Sequence, residues 1–150
     1  MSKNEDALKF FQAYINEMID VGGPNLPKSI SISLGAKLGK LLRERGVSGV
    51  ENSLRRIYKV LKAKLKIVTN KDNTLDISLR YSKRFCPIGG KINPERAKVI
   101  QDTICIPYTS SIMNSLHPEL KFFPEIKECI LQTNEKTCNY ELRMENKKGK

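Results

Sequence analysis

The chain has no tryptophan, a single histidine (His117), and no apolar run near the length needed to cross a bilayer, in 150 residues. Its first residues, Met1-Ser2-Lys3-Asn4-Glu5-Asp6, are polar and acidic with no apolar stretch behind a basic region, so no secretory signal is predicted. The expected setting is the cytoplasm, where thiols stay reduced. Four cysteines at long, uneven spacings are too few for a disulfide scaffold, and no two make a C-x-x-C pair. With one histidine, no Cys–His couple can be placed from the sequence. Gly89-Gly90-Lys91 lacks the glycine spacing and the following Ser or Thr of a phosphate loop, and no dinucleotide fingerprint occurs. Asp72, Asp76, Glu95, Asp102 and Glu119 are scattered carboxylates with no pair among them. Together these absences leave no catalytic constellation, and an enzyme is not predicted. Repeats and linkers are also missing, so residues 1–150 read as one domain, long enough to bury a core without staples.

Acidic residues are in deficit: 27 Lys and Arg stand against 16 Asp and Glu, a net charge of +11. Such an excess attracts phosphate polymers without selecting among them. Part of it lies in the tail, Glu145 to Lys150, which is expected to fray, and more along Arg55, Arg56, Lys59, Lys62, Lys64 and Lys66. A solvated helix face accounts for that row. The alternative is a nucleic-acid-associated basic protein using the helix around Arg55, Arg56, Lys59 and Lys62, though specific nucleic-acid binding is not expected.

Periodicity predicts helices over Asn4–Val21 (Leu8, Phe11, Ile15, Met18 and Ile19 inward), Pro27–Arg45 (Ile30, Leu34, Leu38, Leu41 and Leu42 inward) and Gly49–Lys64 (Leu54, Ile57, Tyr58, Leu61 and Leu65). Gly35 and Gly39, one turn apart in the second, predict close contact with another backbone. Lys66–Thr69 and Thr74–Tyr81 flank a polar turn at Asn70–Asn73 and predict a hairpin. Pro94 opens a helix through Ala97, Ile100, Ile104, Tyr108, Ile112 and Leu116, in which Pro107 predicts a kink beside Cys105. Glu125–Leu131 and Thr137–Met144 predict a second hairpin. The order gives an α+β domain, a helical N-terminal half with a small antiparallel sheet.

Cys105 falls on the long helix, whereas Cys129 and Cys138 flank the polar turn Gln132-Thr133-Asn134-Glu135-Lys136. Thiols that converge in this way bind a metal, form a disulfide, or pack as small buried hydrophobes. A Cys129–Cys138 disulfide is poor if Leu131 rather than Cys129 faces Cys138, because diagonal partners sit too far apart. Structural zinc takes four protein ligands, and Cys86 is the natural fourth thiolate. His117 ranks second; it lies about 18 Å beyond Cys105 along a straight helix and needs the break that Pro118 supplies.

From about Phe85 onward the pattern resembles the 4-vinyl reductase (vinyl-reductase-type) domain family, in particular stand-alone archaeal members described as hydrocarbon-binding proteins. Cys86-Pro87-Ile88-Gly89, Ile104-Cys105, Cys129-Ile130-Leu131 and Cys138-Asn139-Tyr140 carry the resemblance, with the glycine-bearing helix at Gly35–Gly39. It implies the ligand-binding fold of nitric-oxide signalling and Golgi-transport (TRAPP) proteins, a homodimer, and an internal apolar cavity for an aromatic or hydrocarbon ligand. It also implies zinc held by one helix Cys, two hairpin Cys and a Glu. The matching thiols are Cys105, Cys129 and Cys138, but the family's Glu falls on Ile126, flanked by Glu125 and Glu128. The expectation is therefore a small-molecule-binding or sensor domain with a structural zinc site at Cys86, Cys105, Cys129 and Cys138. The fourth ligand is left open among Cys86, His117, Glu125 and Glu128. Tyr108, one turn beyond Cys105, is the expected polar anchor for the ligand. A non-catalytic scaffold subunit is the third possibility.

Overall fold

The computed structural model describes residues 3–59, 63–70, 72–81, 94–133 and 135–147. Three helices come first: α1 (Lys3–Gly22), α2 (Asn25–Glu44) and α3 (Val50–Lys59). The hairpin of β1 (Lys64–Thr69) and β2 (Thr74–Arg80) follows. A helical arm then runs through α4 (Pro94–Ile100), one π-helical turn (Gln101–Cys105) and α5 (Ile106–Leu116). The hairpin of β3 (Leu120–Glu128) and β4 (Thr137–Asn146) comes last. All four strands join one antiparallel sheet in the order β1-β2-β4-β3. This is the α+β architecture the sequence predicts.

Local chemistry sets the turns. Asn73 takes a left-handed φ of 60° between β1 and β2, a conformation asparagine tolerates. Asn70 N–H then bonds the Thr74 carbonyl at 2.9 Å, and the Thr74 hydroxyl donates to Asp72 at 2.6 Å. Period-two alternation turns Leu75, Ile77 and Leu79 to the inner face of the sheet, where Phe122, Tyr140 and Leu142 join them. Leu54 and Tyr58 of α3 and Ile112, Met113 and Leu116 of α5 cover that face. A second apolar cluster gathers Ile15 and Ile19 of α1, Ala97, Ile100 and Ile104 of the arm, and Cys129, Ile130 and Leu131 at the hairpin tip.

Four expectations change. In α2 the inward stripe is Pro27, Ser31, Gly35 and Gly39, not the leucine row. Ile30, Leu34, Leu38 and Leu41 are 36–49% exposed, and only Leu42 packs on the main core. The reason is close backbone approach. Ser111 and Ser115 of α5 donate hydroxyl bonds to the carbonyls of Ile32 and Ala36, and bulkier side chains on that stripe would hold the helices apart. Phe11 is likewise 48% exposed, because α1 buries the neighbouring Ile15–Ile19 stripe. Helix α3 is described through Lys59, and Lys64 and Leu65, expected with that helix, lie on β1. Before Pro107 the helical arm forms a π turn that the sequence did not predict: Ile106 N–H bonds the Gln101 carbonyl, five residues back. Proline lacks an N–H to donate, and the π turn ends two residues before it. Cys86, Leu61, Lys62 and Gly89-Gly90-Lys91 lie outside the described residues. No helix among the described residues is long and apolar enough to cross a membrane.

Candidate functional site

Cys129 directly follows β3, and Cys138 is the second residue of β4. Pairing runs Ile126↔Tyr140 and then Glu128↔Asn139, so Lys127 is an extra residue on β3. Continued without that bulge, the ladder would set Cys129 opposite Thr137. The bulge shifts the register by one, so that Cys129 and Cys138 are the residues that come next after the last ladder pair, Glu128↔Asn139. Leu131, the other candidate for that place, is buried in the second cluster.

The two thiols pack in the same cluster. Cys138 hydrogen-bonds the Cys129 sulfur, and the Ile130 N–H donates to Cys138 Sγ at 3.4 Å. The Cys138 bond is the chief cause that lowers the Cys129 thiol to about 6, against the opposing effect of burial. Bonds from the Leu131 backbone, the Gln101 side chain and the Gln132 backbone add to it. Gln101 is held in place by the hydrogen bond its Nε2–H donates to Gln132 Oε1 at 3.1 Å. Cys129 is 4% exposed, so the polar contacts lie within an apolar surround.

A structural zinc ion requires four donors converging at bonding distance. Among the described residues, no three His, Cys, Asp or Glu side chains stand close enough to hold one ion. Cys105 packs against the same cluster as Cys129 and Cys138 without completing such a set. Glu125 is engaged by Lys127 at 3.0 Å, and Glu128 accepts a bond from Asn139 at 3.1 Å. The described donors alone make no zinc set, and Cys86, the expected fourth thiolate, lies outside the described residues.

His117 has a structural task instead. It caps α5, 8% exposed, with Nε2 3.0 Å from Ser53 Oγ. The Ser53 hydroxyl donates to the Gly49 carbonyl at 2.7 Å. Its one proton is thus used, and His117 must donate from Nε2–H. Burial lowers the His117 pKa, and the Glu119 carboxylate partly restores it. The neutral ring ties α3 to the end of α5.

Tyr108 is half-buried against the main core, and burial raises its hydroxyl pKa. Deeper in that core, the Tyr58 and Tyr140 hydroxyls meet at 2.6 Å. Burial pushes Tyr58 up to about 12, although bonds to Tyr140 and Thr109 favour its ionised form, and Tyr140 rises further.

A groove of about 840 Å³ opens between α2 and the helical arm. Ile32 and Ala36 line one side, Ile106 and Pro107 the other, with Lys28, Asp102, Ser110 and Asn114 as its polar members. Sequence reasoning missed it. The signal was the run of small polar residues at Ser110, Ser111 and Ser115, which faces the small-residue stripe of α2 at helical spacing. Arg55, Arg56 and Lys59 are exposed on α3, away from this groove.

No family model and no curated protein matches the chain. Among solved structures it is similar to trafficking protein particle complex subunit 3 from Naegleria fowleri, covalently bound to palmitic acid. The likeness has a TM-score of 0.64 at 11% sequence identity and covers 95% of each chain. The TRAPP-like fold is thereby shown.

Proposed function

We propose that this chain is a non-catalytic, ligand-binding assembly module. Two copies join through α1 and α2, and an apolar or acyl-chain ligand occupies the groove between α2 and α5. The observation that carries this proposal is the apolar surface left uncovered on the first two helices. Phe10, Tyr14 and Val21 of α1 are 73%, 58% and 78% exposed, and Leu26, Ile30, Leu34 and Leu38 form an i, i+4 ridge on α2 beside its buried stripe. Contiguous apolar surface of this kind marks an interaction site on a folded protein. The ridge persists because the small-residue stripe, not the leucines, contacts α5.

The ligand class draws support from the palmitic acid carried by the structural neighbour and from the groove, which is within the usual range of small-molecule sites. An apolar wall from Ile32, Ala36, Ile106 and Pro107 suits a hydrocarbon chain, and Lys28 offers a cation to an acidic head. Zinc has no part in this proposal.

Sedimentation velocity together with native mass spectrometry of detergent-free protein tests it. The expected result is a species of twice 17.1 kDa carrying an apolar adduct, or taking one up from added palmitate. A monomer at tens of micromolar that takes up no acyl chain would remove the support.

A further inference from the structure

We propose that Cys129 and Cys138 form a redox couple, closing to a disulfide in the presence of a hydroperoxide and reopening with thiol reductant. Geometry carries this. Cys129 and Cys138 come next after the last ladder pair, Glu128↔Asn139, both pack in the second cluster, and the Cys138 sulfur accepts the N–H of Ile130, the neighbour of Cys129, at 3.4 Å. Paired residues of an antiparallel ladder have Cα separations of about 4.5–5.5 Å, inside the range a disulfide spans, and these cysteines stand one step beyond such a pair. The described residues supply no third donor that would commit the pair to a metal. The thiolate is the nucleophilic form of cysteine.

In the first step the Cys129 thiolate attacks one peroxide oxygen and the O–O bond breaks. The alcohol or water leaves with the proton that Cys129 had released, and Cys129 becomes a sulfenic acid. In the second step the Cys138 sulfur attacks the Cys129 sulfur, and hydroxide departs with the Cys138 proton as water. Two thiols lose two electrons and the peroxide gains them; no other oxidant is required. The bond encloses the tip whose Ile130 and Leu131 pack beneath Ile15 and Ile19 of α1. Oxidation thereby fastens the seat of α1.

The test treats the reduced full chain with hydrogen peroxide, blocks remaining thiols, and maps it with trypsin without reduction. Cleavage after Lys127, Lys136 and Arg143 releases 128–136 and 137–143, each with one cysteine. The expected result is a mass loss of about 2 Da and these two peptides joined, reversed by dithiothreitol. Cys105→Ser should keep the link, and Cys129→Ser and Cys138→Ser should each lose it. Gains of about 16 or 32 Da at Cys129 without a link would overturn the proposal. So would a link from either cysteine to Cys105 or Cys86, or stoichiometric zinc that shields the pair in untagged protein.

Discussion

The carbonyl oxygen of Ile112 lies where position 39 has no room for a side chain: a Cβ built on Gly39 would stand 2.6 Å from it and 2.6 Å from Ser115 Cβ. The same α2 stripe leaves a Cβ at Gly35 2.9 Å from Ser111 Cβ and 3.0 Å from the Tyr108 carbonyl. Alanine in a free helix would stabilise by about 1 kcal/mol over glycine. Here the obstacle is partly backbone, so Gly39→Ala is expected to destabilise by about 2 kcal/mol, and Gly35→Ala by less. Urea unfolding measures both. A stabilised Gly39→Ala protein would mean that the α2–α5 contact is looser than described.

The hydrogen bond between His117 and Ser53 sets an acid limit. Burial lowers the folded-state pKa of His117 below its ordinary 6.5, so the unfolded chain binds the proton first. Its contribution to stability is therefore fully present above pH 6.5, falls as pH drops below that value, and levels off once the folded protein also protonates. His117→Gln is expected to flatten the melting-temperature profile across that window. A profile as steep as that of the parent chain would assign the acid sensitivity to other groups.

Tyr58 and Tyr140 hold each other's hydroxyl in an apolar core, and Tyr58 has Thr109 as a further partner. Tyr58→Phe strips the described partner from the Tyr140 hydroxyl and is expected to cost about 1–2 kcal/mol. Tyr140→Phe should cost less, because Thr109 still serves Tyr58. The double Phe variant should recover part of the loss, and a double-mutant cycle by chemical denaturation reads the coupling. Additive losses would contradict a direct bond.

Leu34 and Leu38 sit one turn apart on the exposed α2 ridge, 49% and 39% accessible. Leu34→Glu and Leu38→Glu together are expected to shift the proposed dimer to monomer, raising the apparent dissociation constant by roughly 100-fold or more. The monomer's melting temperature at low protein concentration should stay near that of the parent chain. Sedimentation across a dilution series reports the first effect and calorimetry the second. Unfolding of the double variant in place of dissociation would place these leucines in the fold.

Element type was legible because it depends on short-range pattern. The alternation of Leu75, Ile77 and Leu79 marked β2, Asn70–Asn73 marked its turn, and Gly35 with Gly39 marked a helix pressed on a neighbour. All three hold in the structure. The use made of each surface was not legible. Periodicity identified the leucine row of α2 as one face, but which face meets the core depends on what α5 presents. Ser111 and Ser115 bond the α2 backbone, and only glycine and serine let them come close enough. The thiols follow the same logic. Cysteines at 129 and 138 flanking a turn are visible in the sequence, whereas their mutual register turns on one extra residue at Lys127, which leaves no mark in the local alternation. Short-range sequence thus determined most helices, strands and turns, but β3, expected over Glu125–Leu131, runs Leu120–Glu128 and leaves Cys129 to Leu131 in the turn. The packing of α2 on α5 and a single bulge decided which side chains were left exposed and which sulfurs met, because both depend on residues distant in the chain.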